Sequence, residues 1–220
     1  MVLLPGAPVV FEDDRLVAVN KPAGQPTIPG RGAVGEALNK ELERRLGARL
    51  WVVHRLDREA SGLVVFAKDA DAHRALCADF ESRRAEKTYL AAVTGVVPGE
   101  GRCDLPLKEF GSGRTAPASD GKHSLTRWKV SRPLKGATLL KVTPLTGRRH
   151  QIRAHLCAVG HPLLGDPLYG PAPRPVGGAP RLMLHALTLS LPSGAGYDLK
   201  AEPGPDFDAV LANLRKEAGN

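Results

Sequence analysis

The 220-residue chain holds only three cysteines, Cys77, Cys103 and Cys157. An odd number with no C-x-x-C spacing argues against a disulfide framework and against a zinc site, and makes a reduced, cytoplasmic setting the expectation. Long apolar runs are missing as well. Nothing approaches the ~20 residues that cross a bilayer, and residues 1–8 show no charged segment ahead of an apolar one, so a soluble, unexported protein without membrane contact is expected. Internal repeats are absent, and so are nucleotide and metal signatures. Residues 111–114 lack the following GK[ST] of a P-loop and read as a turn, no HExxH occurs, and His150 and His155 stand five apart, on different helical faces.

Acidic residues are scarce in one region. Between residues 101 and 155 there are twelve Lys or Arg and three Asp or Glu, whereas the rest of the chain is net −1 and the whole is +8 with a pI near 9.7. A polyanionic partner is the expectation, with that region supplying the contacts. A hydrophobic content of 42% over this length is ample for a core and fits one compact domain.

Short strands and helices follow one another along the chain. Residues 9–20 contain two apolar runs split by Glu12, Asp13, Asp14 and Arg15, the pattern of paired strands with a charged turn. Val34, Leu38, Leu42 and Leu46 mark an amphipathic helix stopped by Gly47, with Glu41, Arg44 and Arg45 on its wet side. Asp69 predicts the N-cap of a helix that buries Ala72, Leu76 and Phe80. Strands are expected over 87–94, 125–130, 138–144 and 182–191. Helices are expected over 150–159, with Ile152, Leu156 and Val159 on one face and Arg149 and Arg153 on another, and over 207–214. Residues 98–124 read as a hairpin tip with an insertion, mobile over about 106–123, and 171–180 as a flexible loop. Strands outnumber helices and succeed each other like hairpins, so the fold class is α+β with a largely antiparallel sheet.

One stretch organises the rest. In residues 52–68, VVHRLDREASGLVVFAK, the runs 50–53 and 63–66 read as buried strands and 54–61 as the polar loop they present at the sheet's end. Asp57 lies between Arg55 and Arg58, so its carboxylate is expected to be charged at neutral pH, a candidate nucleophile or base. Taken alone, these side chains also read as a solvated turn with ordinary surface ion pairs.

HRLD followed by SGL and a strand resembles the central motif of the RluA-type pseudouridine synthases. NKPAG at 20–24, KTYLA at 87–91, TGRRHQIRAHLCAVGHPLLGDPLYG at 146–170 and RLMLHA at 181–186 are similar to that family in the same order. The resemblance implies a pseudouridine synthase catalytic domain over 1–220, with a mixed sheet, flanking helices and a central cleft, that isomerises a uridine in structured rRNA or tRNA. It implies Asp57 as the catalytic carboxylate, Tyr89 as the aromatic packed on the target base and Arg153 as the cation paired with Asp57. Arg55 would fill the place of the flipped uridine, Leu184 would wall the pocket, and His54 would lie on the substrate side of the loop. The reaction breaks a C–N glycosidic bond, turns the retained uracil and joins its C5 to ribose, so it requires an anionic group and a closed pocket but no metal and no nucleotide cofactor.

Two departures accompany the likeness. Ala60 stands where Thr is commonest in the family, which removes a hydroxyl from the loop. With NKPAG beginning at residue 20, no separate N-terminal RNA-binding domain is expected; a monomer selecting its RNA through the catalytic domain is. IPGR at 28–31 is reminiscent of members acting on rRNA and tRNA stem-loops. Two other functions remain open at this point: a non-catalytic RNA-binding or ribosome-assembly protein on the same fold, and a glycoside hydrolase, for which Asp166 is the candidate second carboxylate.

Overall fold

The apolar runs flanking residues 12–15 form an antiparallel pair, β1 (Val9–Glu12) and β2 (Leu16–Lys21), and the turn is tied by Asp13, whose Oδ1 accepts the N–H groups of Arg15 and Leu16 at 2.8 Å each. This hairpin belongs to the first of two compact units in the computed structural model, which describes residues 6–30, 35–170, 176–194 and 196–215. One unit comprises Met1–Lys87 and His185–Glu202, the other Thr88–Leu184 and Pro203–Asn220.

In the first unit, α1 (Leu38–Leu46) buries Leu38 and Leu42 and ends at Gly47, whose φ of 64° is the left-handed stop foreseen for it. Val34 and Arg31, named in the sequence reading, lie outside the described residues. Glu41 is not on the wet side as expected. It is buried, hydrogen-bonded by Gln25 Nε2 at 2.6 Å and paired with Arg45 at 3.3 Å, because Gly6 packs against the carboxylate and Arg45 also donates to Ala7 O at 3.2 Å.

β3 (Trp51–Val52) is shorter than the run that signalled it, and β4 (Ser61–Ala67) is buried throughout. β2 lies antiparallel along one edge of β4. The other edge is shared: β3 pairs antiparallel at Phe66–Ala67, and β11 (Leu184–Leu191) pairs parallel at Ser61–Gly62. β12 (Tyr197–Lys200), which no sequence signal disclosed, pairs with β11. α2 (Ala70–Glu81) is capped by Asp69, whose Oδ1 accepts Asp71 N–H at 2.8 Å and Ala72 N–H at 2.7 Å. It buries Ala72 and Leu76, while Phe80 is half-buried.

The second unit is built on β5 (Glu86–Thr94), β10 (Ala137–Pro144), β9 (Thr126–Leu134) and β6 (Gly101–Cys103), antiparallel in that order. β9 runs four residues past its expected end. Val130 faces Leu140 and Arg132 faces Leu139, so Ser131 has no partner and forms a bulge. Within the stretch read as an insertion, β7 (Leu107–Glu109) and β8 (Thr115–Pro117) pair as a small sheet of their own. Residues 171–175 lie outside the described residues, and Val176–Gly178 makes a turn in which Gly177 and Gly178 both have positive φ, 66° and 69°.

Side chains of β5 and β10 alternate between two faces. Leu90, Ala92 and Leu139 join Leu134, Met183 and α4 (Pro205–Asn213), whose Phe207, Val210 and Leu211 close that side. The other face meets α3 (Gln151–Ala158), anchored by Gln151 Nε2 donating to Thr126 Oγ1 at 3.1 Å and by His155 Nδ1 at 2.8 Å from the same hydroxyl. α3 is buried throughout Gln151–Leu156, Arg153 included, whereas Val159, expected on the apolar face with Ile152 and Leu156, is exposed. Both units are α+β. Among the described residues no helix is long and apolar enough to cross a membrane.

Candidate active-site residues

The loop between β3 and β4 carries His54, Arg55 and Asp57; its Leu56 and Ala60 are buried, and hydrogen bonds fix its shape. Lys21, fully buried at the end of β2, donates to the carbonyls of Pro22, Gln25 and Arg58 at 2.9, 2.9 and 3.1 Å. Its ammonium thus ties the NKPAG turn to the residue after Asp57. Thr27 Oγ1 donates to Leu56 O at 3.1 Å and accepts Leu56 N–H at 3.2 Å; Gly24 N–H meets Arg58 O at 2.8 Å, and Arg58 Nε returns to Gly24 O at 2.9 Å. The backbone on both sides of Asp57 is therefore fixed. Asp57 itself is half-buried, and Arg55 is exposed.

His54 has a task the sequence did not disclose. Val65 N–H, in a strand buried throughout, falls between the stretches of β4 that β3 and β11 pair, and His54 Nε2 accepts it at 3.1 Å. An accepting Nε2 puts the proton on Nδ1. The ring stacks on Phe80 at 4.8 Å, and Lys87 stands over the other ring at 5.5 Å. Burial, with the Lys87 charge added, pushes the imidazole down to about 3, so it is neutral at physiological pH. Expected on the substrate side, His54 completes the sheet beneath the loop.

At the start of β4, Ser61 Oγ lies 2.9 Å from His185 Nδ1, and His185 Nε2 lies 2.8 Å from Ala201 O. A carbonyl can only accept, so Nε2 holds the proton and Ser61 donates to Nδ1. Next to it, Gly62 has φ 113°, and a Cβ there would come within 2.3 Å of Ala186 O. The glycine of SGL lets β11 approach.

Tyr89, Arg153 and Leu184 belong to the second unit. Tyr89, half-buried on β5, is opposite Val142, which places it on the sheet face that α3 covers. Leu184 is buried at the start of β11. Arg153 is buried on α3 and forked onto Asp166, Nε to Oδ2 and Nη2 to Oδ1, both 2.8 Å, with its guanidinium 5.1 Å from the Tyr169 ring. Asp166 Oδ1 also accepts the N–H groups of Leu168 and Tyr169 at 2.9 and 3.0 Å. Burial works to raise this carboxyl, but the Arg153 hydrogen bonds and charge and the two amides outweigh it and leave Asp166 below the usual carboxylate range. A carboxylate so engaged makes a poor general acid, which removes the footing for the hydrolase reading. Gly165 precedes it with φ 65° and no room for a Cβ, 1.9 Å from Arg181 O.

His155 is saturated by Thr126 and by Leu105 O at 2.9 Å, a core role. Sequence reasoning missed two positioning residues, Lys21 and His185; both stood inside matched motifs, but only contacts disclose what they hold.

The signature of the RNA pseudouridylate synthase family matches residues 15–158. The ribosomal large subunit pseudouridine synthase D of Nitrosomonas europaea is 37% identical over 92% of this chain and 63% of its own length. The dual-specificity RNA pseudouridine synthase RluA of Vibrio cholerae is 39% identical over 84% of this chain and 77% of its own. Among solved structures, human RNA pseudouridylate synthase domain containing 4 superposes with a TM-score of 0.81 at 26% identity, covering 96% of this chain and 94% of that one. The chain belongs to the RNA pseudouridylate synthase family. It spans less than two thirds of the Nitrosomonas protein.

Proposed function

We propose that this chain is an RNA pseudouridine synthase, an isomerase that acts on uridine in structured rRNA or tRNA, works in the cytoplasm and uses Asp57 as its catalytic carboxylate. The observation that carries the reading is the family signature over residues 15–158, which takes in the Asp57 loop, the β5 tyrosine and α3. The names of the relatives, one of the ribosomal large subunit and one of dual specificity, support rRNA as a substrate and leave room for a second RNA, for which we propose tRNA. Asp57 attacks the nucleoside, and the loop's hydrogen-bonded frame keeps the carboxylate in place while the uracil turns, so that no orientation has to be found in the transition state. Tyr89 offers its ring to the base, Arg153 supplies the cation that holds the catalytic carboxylate, Arg55 takes the space of the extruded uridine, and Leu184 walls the base. The product is an isomer of the substrate: the C1′–N1 bond breaks, a C1′–C5 bond forms, the C5 proton passes to solvent and N1 takes up a proton, so the step is redox-neutral and our reading assigns it no metal and no nucleotide cofactor.

Asp57→Asn tests the assignment. Tritium release from 5-tritiated uridine RNA is expected to fall by at least about a thousandfold, with RNA affinity nearly unchanged, because the charge needed in the transition state is lost and phosphate contacts are kept. Turnover near wild type would remove Asp57 from the reaction.

A further inference from the structure

The basic excess of residues 101–155 contains a patch whose geometry has a consequence for binding. On β9, Arg127, Lys129 and Arg132 all point to one side of the second unit's sheet, because the unpaired Ser131 restores the phase between Lys129 and Arg132. Arg102 on β6 is directly opposite Arg127, and Lys141 on β10 is directly opposite Lys129. All five side chains are exposed. Residues directly opposite on antiparallel strands have Cβ atoms about 5 Å apart, and like charges so placed repel. An ion pair from Glu100, 3.8 Å from Lys129 and itself exposed, offsets one of the five.

This face is the reverse of the one that carries Tyr89. Lys141 is opposite Leu90 on β5, whereas Tyr89 is opposite Val142. α4 covers the same reverse face at Leu90, Ala92, Leu134 and Leu139 and leaves the charged part open.

We propose that the outer face of β6, β9 and β10 is a second RNA contact, which binds the sugar-phosphate backbone of a segment away from the target uridine. The inference rests on the reading of the substrate as RNA. Two like-charge pairs held in register on rigid strands destabilise the free protein and are relieved when phosphates lie between them. The column from Arg127 to Arg132, which stand opposite Thr143 and Leu139, runs for about 13 Å, long enough for two or three phosphates of one strand. Its arginines match phosphate oxygens as two-pronged donors, and the lysines serve as point charges. A lipid surface fits less well: none of the described exposed large apolar side chains lies on these three strands, so nothing there would insert into a bilayer.

The test uses the full chain and Arg127→Gln/Lys129→Gln/Lys141→Gln, with bulk large-subunit rRNA and a short synthetic hairpin as probes. For rRNA the log affinity against log salt slope is expected to flatten by about 2, with affinity at least about tenfold weaker, since three phosphate contacts at ~0.7 each are lost. The hairpin, too small to reach both faces, keeps its slope. Lys141→Glu alone converts a like-charge pair into an opposite one, so the free protein should melt at a higher temperature while its rRNA slope falls. An unchanged rRNA slope in the triple variant overturns the proposal, as does a lower melting temperature for Lys141→Glu. Loss of binding to phosphatidylserine vesicles with rRNA binding intact would assign the face to lipid and overturn it equally. Tritium release by wild type from total RNA is measured beside these: its failure would sink the catalytic reading while the slopes still decide the surface.

Discussion

A single imidazole shows how little of a residue's work is written in its motif. His54 stands beside Arg55 and Asp57 in the sequence, which suggested a place near substrate, yet its nitrogen caps a backbone donor in β4. No local pattern announces this, because the orphan N–H arises only where two strands share one edge of a third. Its folded-state pKa of about 3 is below the ordinary 6.5, so the unfolded chain binds the extra proton first. Stability from this ring is complete above pH 6.5 and is lost as pH falls towards 3, by roughly 2 kcal/mol between 6.5 and 5. Urea unfolding of wild type and His54→Leu at pH 7 and pH 5 should show the steeper loss in wild type; parallel losses would refute the neutral ring. Asp166 was legible as a carboxylate but not as the partner of a buried arginine thirteen residues before it. Asp166→Ala breaks that fork and is expected to cost about 3–5 kcal/mol in urea unfolding. A loss under about 1 kcal/mol would mean that Arg153 is held by other means.

Elements were readable where their periodicity ran unbroken. The first hairpin, the Asp69 cap, the Gly47 stop and the buried β4 all emerged from local spacing and turn chemistry. β6, β7, β8 and β12 did not: each has three or four residues, too few for an alternation to declare itself, and each owes its pairing to a partner distant in sequence or to a neighbouring hairpin turn. β9 was cut short at Val130 because the bulge interrupts its alternation. Glycine in SGL was read as part of a motif, and its reason is the approach of β11. Gly62→Ala should cost about 3 kcal/mol or more, since the new methyl meets backbone rather than a side chain that could move. Thermal melting measures it, and a change within about 0.5 kcal/mol would show that the two strands can separate there without loss.

At the scale of the whole chain, the sign and place of the charge were visible in composition, but its division between the two faces of a sheet was not. That division depends on register, and register depends on one serine. Leu134, which anchors the core under α4, and the cations before it reach the same side only because the spacing along β9 is two, three, two. Deleting Ser131 would remove the residue that the pairing already leaves out, so Arg132 would follow Val130 directly, still opposite Leu139, and Leu134 would stay beneath the helix. Drawing Ser131 into the ladder would instead act as a frameshift in geometry rather than in code: every residue beyond it would keep its identity and exchange its face, with Arg132 driven to the side of Trp128 and Val130 and Leu134 turned out. The deletion variant is therefore expected to melt close to wild type and to keep the amide protection of β9 and α4; loss of protection in α4 would show that something other than the bulge sets the faces. One serine held out of the ladder thus decides on which side of its strand a helix can sit.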